Sequence, residues 1–247
     1  MYNFGSGDAF LIPSVAVPTP IPLNTLQDFS LDFKFEKKAL HGKKQFPLTA
    51  ARSKGTIEGK IKDATVKADL FGPVFFGDAP ATGQLLVAVD EPLKVPDTTP
   101  FKITALAHKD KFKANCGVRY ADTGKSLLRV EDGPFKGAYT VATPVSGPEY
   151  TFDDEDKGVN VLISYTYTSE TGGKILTLSN KDMGTAPRFT LVYTTKFEGM
   201  VLTIQLNACQ IDDLKIASKN DDFMFPEASF SAFANAAGVV GMVSITE

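Results

Sequence analysis

The run Phe29-Ser30-Leu31-Asp32-Phe33-Lys34-Phe35-Glu36 alternates apolar and polar residues without a break. Successive side chains of a strand point to opposite faces. Phe29, Leu31, Phe33 and Phe35 therefore share one face, and Ser30, Asp32, Lys34 and Glu36 share the other. A strand of this kind needs a second layer over its apolar face and leaves a polar face for water or another polar surface. The same period of two recurs at Thr56-Ile57-Glu58-Gly59-Lys60-Ile61-Lys62 and over residues 161–168, the latter rich in β-branched and aromatic residues. Further strands are predicted at 174–178, 188–195, 201–206, 213–216, 223–233 and 241–246, with a hairpin turn at Glu198-Gly199.

One segment departs from this period. After Ala64, the residues Val66, Leu70, Phe71, Val74 and Phe75 recur at helical spacing. Gly72-Pro73 interrupts the pattern, because proline lacks an N–H and clashes with the preceding turn. The prediction is a short helix over 64–71, continuing with a kink to Phe76 and stopping at Gly77. Three prolines over 92–100 read as a linker or an edge-strand crossing. These signals divide the chain into a core made by 1–105 and 185–247 and a β-rich insertion over 106–184. The expected class is mainly β: a sandwich or barrel core with one short helix.

Composition narrows the function classes. The chain has 247 residues, 43% hydrophobic and 22% charged, which suits a globular protein. No run approaches the roughly 18–20 apolar residues of a membrane-spanning helix, so no membrane insertion is expected. The first seven residues carry neither a basic nor an apolar region of the kind a signal peptide needs. Cys116 and Cys209 cannot build a disulfide framework and are expected as buried thiols. His41 and His108 both lie in Lys-rich polar stretches, which leaves a Ser-His-Asp or Cys-His site without its base. Two cysteines and two distant histidines also fail the spacing of a zinc site. No enzyme activity, metal or cofactor is expected.

Two short strings imitate ligand motifs. Gly124-Lys125-Ser126 lacks the upstream glycine of a phosphate-binding loop, position 119 being Arg, and strand-like residues follow it. Asp153-Asp154-Glu155-Asp156-Lys157-Gly158 is acidic but lacks the alternating ligands of a calcium loop, so it reads as a solvated turn.

Charge is uneven. From Lys34 to Lys67 there are ten Lys/Arg and three Asp/Glu, a net of +7, so the rest of the chain carries −10 to reach −3. The overall balance excludes a basic nucleic-acid reader. The local excess fits a solvated face or a surface that docks on acidic groups of another copy.

Three stretches together resemble the major tail tube protein of long-tailed, siphovirus-like bacteriophages. The first begins with Phe4-Gly5-Ser6-Gly7-Asp8 and Leu26-Gln27-Asp28-Phe29. It continues through Leu40-His41-Gly42-Lys43-Lys44-Gln45-Phe46 into Gly55-Thr56-Ile57-Glu58-Gly59-Lys60 and Phe75-Phe76-Gly77. The second is Tyr150-Thr151-Phe152-Asp153-Asp154 with the strand after it. The third is Leu206-Asn207-Ala208-Cys209, Lys219-Asn220-Asp221-Asp222-Phe223 and Phe230-Ser231-Ala232-Phe233 through Gly241. The resemblance implies a tail-tube-type β-sandwich or barrel whose copies form rings, most simply hexameric, stacked into a hollow tube. Its partners would be other copies of itself, the tape-measure protein, tail-end proteins and, in passage, double-stranded DNA. Its place would be the virion tail, assembled in the host cytoplasm, with the insertion on the tube exterior.

Two residue sets follow. Ser30, Asp32, Lys34, Glu36, Glu58, Lys60 and Lys62 form a mixed polar surface suited to line a lumen. DNA gains affinity with each phosphate neutralised, so a passage needs balanced or acidic walls. The stretch 37–54 is too long for a tight hairpin and is expected as a loop between rings. Lys37, Lys38, His41, Lys43, Lys44, Gln45 and Arg52 would be its contact residues. The alternatives are a β-sandwich module binding carbohydrate or acting as an adhesin, or another tail part such as a terminator or decoration protein. A sugar-binding module would present aromatics for stacking, whereas Trp is absent and most Phe fall on core-type positions.

Overall fold

The computed structural model describes residues 5–65 and 67–246. The chain is mainly β. Its strands are β1 Asp8–Pro13, β2 Ile21–Leu23, β3 Leu26–His41, β4 Pro47–Asp63, β5 Ala81–Lys94, β6 Lys102–Ile103, β7 Phe112–Tyr120 and β8 Leu128–Arg129. They continue as β9 Ala138–Ala142, β10 Glu149–Phe152, β11 Asn160–Ile175, β12 Phe189–Phe197, β13 Met200–Lys215, β14 Glu227–Phe233 and β15 Gly241–Ile245.

The chain falls into two compact units, one made of 1–80 with 176–247 and the other of 81–175. The inserted unit therefore starts 25 residues before position 106 and ends nine before 184. The cause is pairing: β5 runs antiparallel to β11 from Ala81↔Ile175 to Lys94↔Asn160, which ties 81–94 to the insertion. Pro92 lies inside β5 opposite Leu162 and is not a linker residue. β5 is an edge strand, where a missing N–H is tolerated.

The first unit is one sheet in the order β2-β1-β12-β13-β14-β4-β3, with β15 also on β13. β13 runs unbroken for 16 residues, so the strands expected at 201–206 and 213–216 are one. Its first half pairs with β15 and its second half with β14. The core gathers Leu11, Leu23, Ile61, Phe189, Leu191, Leu206 and Phe230, all buried. Phe29 of β3 stacks on Tyr193 of β12 with ring centroids 3.9 Å apart, which brings the end strand β3 against a strand four places away in the order. Burial of side chains of this size contributes roughly 1.5–3 kcal/mol each.

The helix begins later than expected. α1 spans Ala68–Leu70 and passes into a wide, π-type turn over Phe71–Phe76. Pro73 sits in the wide turn, whose altered hydrogen-bond spacing accommodates the missing N–H. Gly77 closes it in the left-handed region, its N–H donating to the Gly72 carbonyl. Leu70 and Val74 are buried in the core, while Val66 lies outside the described residues.

The second unit packs a β5-β11-β7 sheet against a β6-β10-β9-β8 sheet. Its core is tyrosine-rich, and each buried hydroxyl has a partner. Tyr165 donates to Glu91 at 2.6 Å, Tyr150 to Asn115 at 3.1 Å and Tyr120 to Asp156 at 2.6 Å. Burial and then the neighbouring carboxylates push the Tyr120 and Tyr165 hydroxyls up to about 12. Asp156 revises the reading of the acidic turn. Asp153 caps a short 3-10 helix over Asp154–Asp156, but Asp156 itself is buried, accepting from Tyr120 and from the Gly137 N–H at 2.8 Å. One of these acids is thus a structural acceptor, and only the others are solvated.

Candidate assembly interface

β3 and β4 form a single antiparallel ribbon from Leu26↔Asp63 to His41↔Pro47. The expected loop over 37–54 is therefore mostly strand, closed by a turn at residues 42–46. The pairing continues through Lys37↔Arg52, Lys38↔Ala51, Ala39↔Ala50 and Leu40↔Thr49. Two register shifts, at Phe35/Lys37 and at Leu40/His41, break the alternation and hide the strands from a period-two reading.

The two ends of the ribbon differ. At the base, Leu26, Ile61 and Asp63 are buried, Phe29 and Leu31 pack on the core, and β14 pairs with β4 from Ile57 to Lys62. Beyond Asp32 on β3 and before Ile57 on β4, every residue is exposed on both faces. Phe33, Phe35, Leu40, Phe46 and Leu48 are all more than half exposed, Phe46 at 82%. We term this distal part the arm.

Six of the lumen-type residues, Ser30, Asp32, Lys34, Glu58, Lys60 and Lys62, share one face of the ribbon in register, while Glu36 falls in the shift between Phe35 and Lys37. Ser30 stands opposite Lys60, Asp32 opposite Glu58 and Lys34 opposite Thr56. The same face continues onto β14, with Lys62 opposite Glu227 and Lys60 opposite Ser229. Asp32 and Glu58 are like charges directly opposite, an unfavourable pair. Lys34 relieves it: its Nζ lies 2.6 Å from Glu58 Oε2, and that hydrogen bond holds the ammonium above the usual lysine range. Lys60 reaches Glu227 at 3.8 Å, and Lys62 sits 4.9 Å over the Phe225 ring. Glu36 accepts from Ser53 Oγ at 3.4 Å, at the start of the arm.

The contact-type residues all lie on the arm. Lys37, Lys38 and His41 are on β3, Lys43, Lys44 and Gln45 in the turn, and Arg52 on β4, every one exposed. Residues 37–54 hold six Lys/Arg and no Asp/Glu. Among the described residues, Lys37, Lys38, Lys43, Lys44 and Lys54 have no carboxylate within 4.0 Å. Arg52 instead places its guanidinium 4.6 Å from the Phe35 ring centroid, so an exposed aromatic is covered by a cation from the facing strand.

Elsewhere the molecule offers little chemistry. Cys209 is buried, but Cys116 is exposed: it is the extra, unpaired residue of a β-bulge between Asn115↔Tyr165 and Gly117↔Ser164. His108 stacks on Tyr167 at 3.9 Å. No cluster of three or more His, Cys, Asp or Glu capable of holding a metal occurs among the described residues. No helix among them is long and apolar enough to cross a membrane. Sequence reasoning missed Asp212, Asp213, Asp221 and Asp222, four exposed carboxylates on and after the end of β13. Their signal was present as two Asp-Asp pairs nine residues apart. No family model matches the chain, and no curated protein sequence does.

Proposed function

We propose that this chain is a structural subunit that polymerises with itself, in the manner of a phage tail tube: ring upon ring around a hollow passage for double-stranded DNA. The observation that carries the reading is the arm, seven residue pairs of ribbon from Lys34↔Thr56 to His41↔Pro47 uncovered on both faces. A two-stranded ribbon is at best marginally stable in water. It also leaves Phe33, Phe35, Leu40, Phe46 and Leu48 in solvent. Covering by a neighbouring copy supplies both the missing layer and the missing burial. The resemblance noted in the sequence points the same way.

On this reading the Ser30–Lys62 face lines the passage. Across β3, β4 and β14 it carries Asp28, Asp32, Glu36, Glu58 and Glu227 against Lys34, Lys60 and Lys62, a net of −2. Such a wall holds phosphates weakly, which suits passage better than retention. The 81–175 unit decorates the exterior, where bulk is tolerated. The tape-measure and tail-end proteins would be its further partners.

The test replaces residues 37–54 by a two-residue Asn-Gly turn joining Glu36 to Gly55. The shortened chain should unfold at the same denaturant concentration as the parent, since no core residue is lost. It should sediment as a monomer at concentrations where the parent forms rings or tubes. Polymerisation of the shortened chain would remove the arm from the account.

A further inference from the structure

The arm has a chemical counterpart at the opposite end of the same strands. Its tip carries Lys37, Lys38, Lys43, Lys44, Arg52 and Lys54, with Leu40, Phe46 and Leu48 exposed among them. At the other end, register places Lys215 of β13 level with Glu227 of β14, Lys62 of β4 and Asp28 of β3. The chain there continues from β13 through residues 216–226. This end carries Asp212, Asp213, Asp221 and Asp222 against Lys215 and Lys219, and it exposes Ile216, Phe223 and Met224. None of the four carboxylates lies within 4.0 Å of a base among the described residues. Phe223 is 85% exposed and meets Phe225 edge-on, with centroids 6.4 Å apart.

One end is thus basic with exposed apolar side chains, and the other is acidic with exposed apolar side chains. From Lys62 to Pro47 the ribbon spans 15 residues, about 50 Å at about 3.3 Å per residue. A copy's own arm points away from its own acidic end and cannot cover it. Neither patch is self-complementary, which excludes a two-fold pairing of like with like. The complement of each patch is the other patch on a second copy.

We infer that the arm of one copy docks on the acidic end of the next, around Asp212, Asp213, Asp221, Asp222 and Phe223. The contact is heterologous, head to tail along the strand direction, and it propagates into rings or a filament. Opposite charge fixes the register and speeds encounter, while the apolar residues supply burial. The inference rests on the self-assembly reading and adds to it the surface that receives the arm.

The experiment uses the full chain in four forms: parent, K43E/K44E, D221K/D222K, and the swap carrying all four changes. Thermal melts first confirm that each is folded; the changed side chains are all exposed. Sedimentation and electron microscopy then read assembly. Either reversal alone should abolish polymers at concentrations ten times those at which the parent polymerises, and the swap should restore them. Mixed one to one, the two single-site reversals keep one intact arm and one intact acceptor between them. Their reversed arm and reversed acceptor also complement each other, so the mixture should co-polymerise in alternation although neither variant polymerises alone. If the parent polymerises and D221K/D222K does so equally well, the arm docks elsewhere, and the inference falls while self-assembly stands. If the parent stays monomeric at every concentration, the self-assembly reading falls and takes the inference with it.

Discussion

The base and the arm of the β3–β4 ribbon are built from the same two strands with the same pairing, yet only the base has a second layer. At the base, Phe29 lies on Tyr193 and Ile61 is buried. A few residues farther along, Phe33 and Phe35 continue the same apolar face into solvent. The comparison teaches that the alternating pattern specifies a face to be covered and does not say by which molecule. The base is covered from within the chain. For the arm, the proposed cover is another copy.

The largest expected effect that tests this contrast is in the base core. Phe230 is fully buried and contacts Phe189 edge-on with centroids 6.4 Å apart. Phe230→Ala should cost about 3–5 kcal/mol in urea unfolding. Phe33→Ala on the arm should cost under about 1 kcal/mol and weaken polymerisation instead. Equal destabilisation by the two would break the contrast.

Two glycines of β4 sharpen it. A Cβ at Gly59 would meet Phe230 Cζ at 2.4 Å and the Ser30 carbonyl oxygen at 2.7 Å. Gly59→Val should therefore destabilise by at least about 1–3 kcal/mol through overpacking. A Cβ at Gly55 would meet the exposed Phe35 ring at 3.1 Å, which can swing aside, and the Lys34 carbonyl oxygen at an ordinary contact distance of 3.8 Å. Gly55→Ala should leave the midpoint within about 0.5 kcal/mol. Calorimetry on the two variants reads the difference directly.

A third effect depends on pH. Cys209 lies in the base core, and burial pushes its thiol up to about 12 from an ordinary 9.0. The folded chain then keeps a proton that the unfolded chain releases. The stabilisation is whole below pH 9 and is lost as pH rises toward 12. Cys209→Ala should flatten the fall in stability between pH 9 and 12, leaving a slope from the tyrosines that burial also raises, Tyr193 in this unit and Tyr120, Tyr150 and Tyr165 in the other. An unchanged slope would show that this thiol is not sealed in the base.

The smallest effect concerns the polar face. Lys34 and Glu58 are both about half exposed, and pairs of that kind contribute little. Lys34→Ala should leave the unfolding midpoint unmoved. On the tube reading it should make the proposed lumen more acidic without preventing polymerisation, an outcome visible by negative stain.

Much of the base was legible because burial is what writes a period of two into a sequence. Phe29 to Asp32 and Ile57 to Lys62 show it plainly, and the same phase runs on through Phe33 and Phe35 into the near end of the arm. The arm was illegible for the converse reason. With both faces exposed, Lys37-Lys38-Ala39 and Ala50-Ala51-Arg52 carry no alternation, and bulges shift what phase remains. The helix was blurred in a similar way, since only Ala68–Leu70 is α-helical before the wide turn that holds Pro73. Asp156 was hidden too, since nothing local distinguishes a buried acceptor from its solvated neighbours Asp153 and Asp154. Of the candidate interface, the basic residues were readable as a charge excess. The acidic end was not, because its proposed partnership with the arm rests on strand register and not on proximity in the chain.

The most direct test of self-assembly is negative-stain electron microscopy of the purified full chain across a concentration series at low salt. Stacked rings or hollow tubes that lengthen with concentration are the predicted result. Monodisperse monomers at every concentration would contradict it.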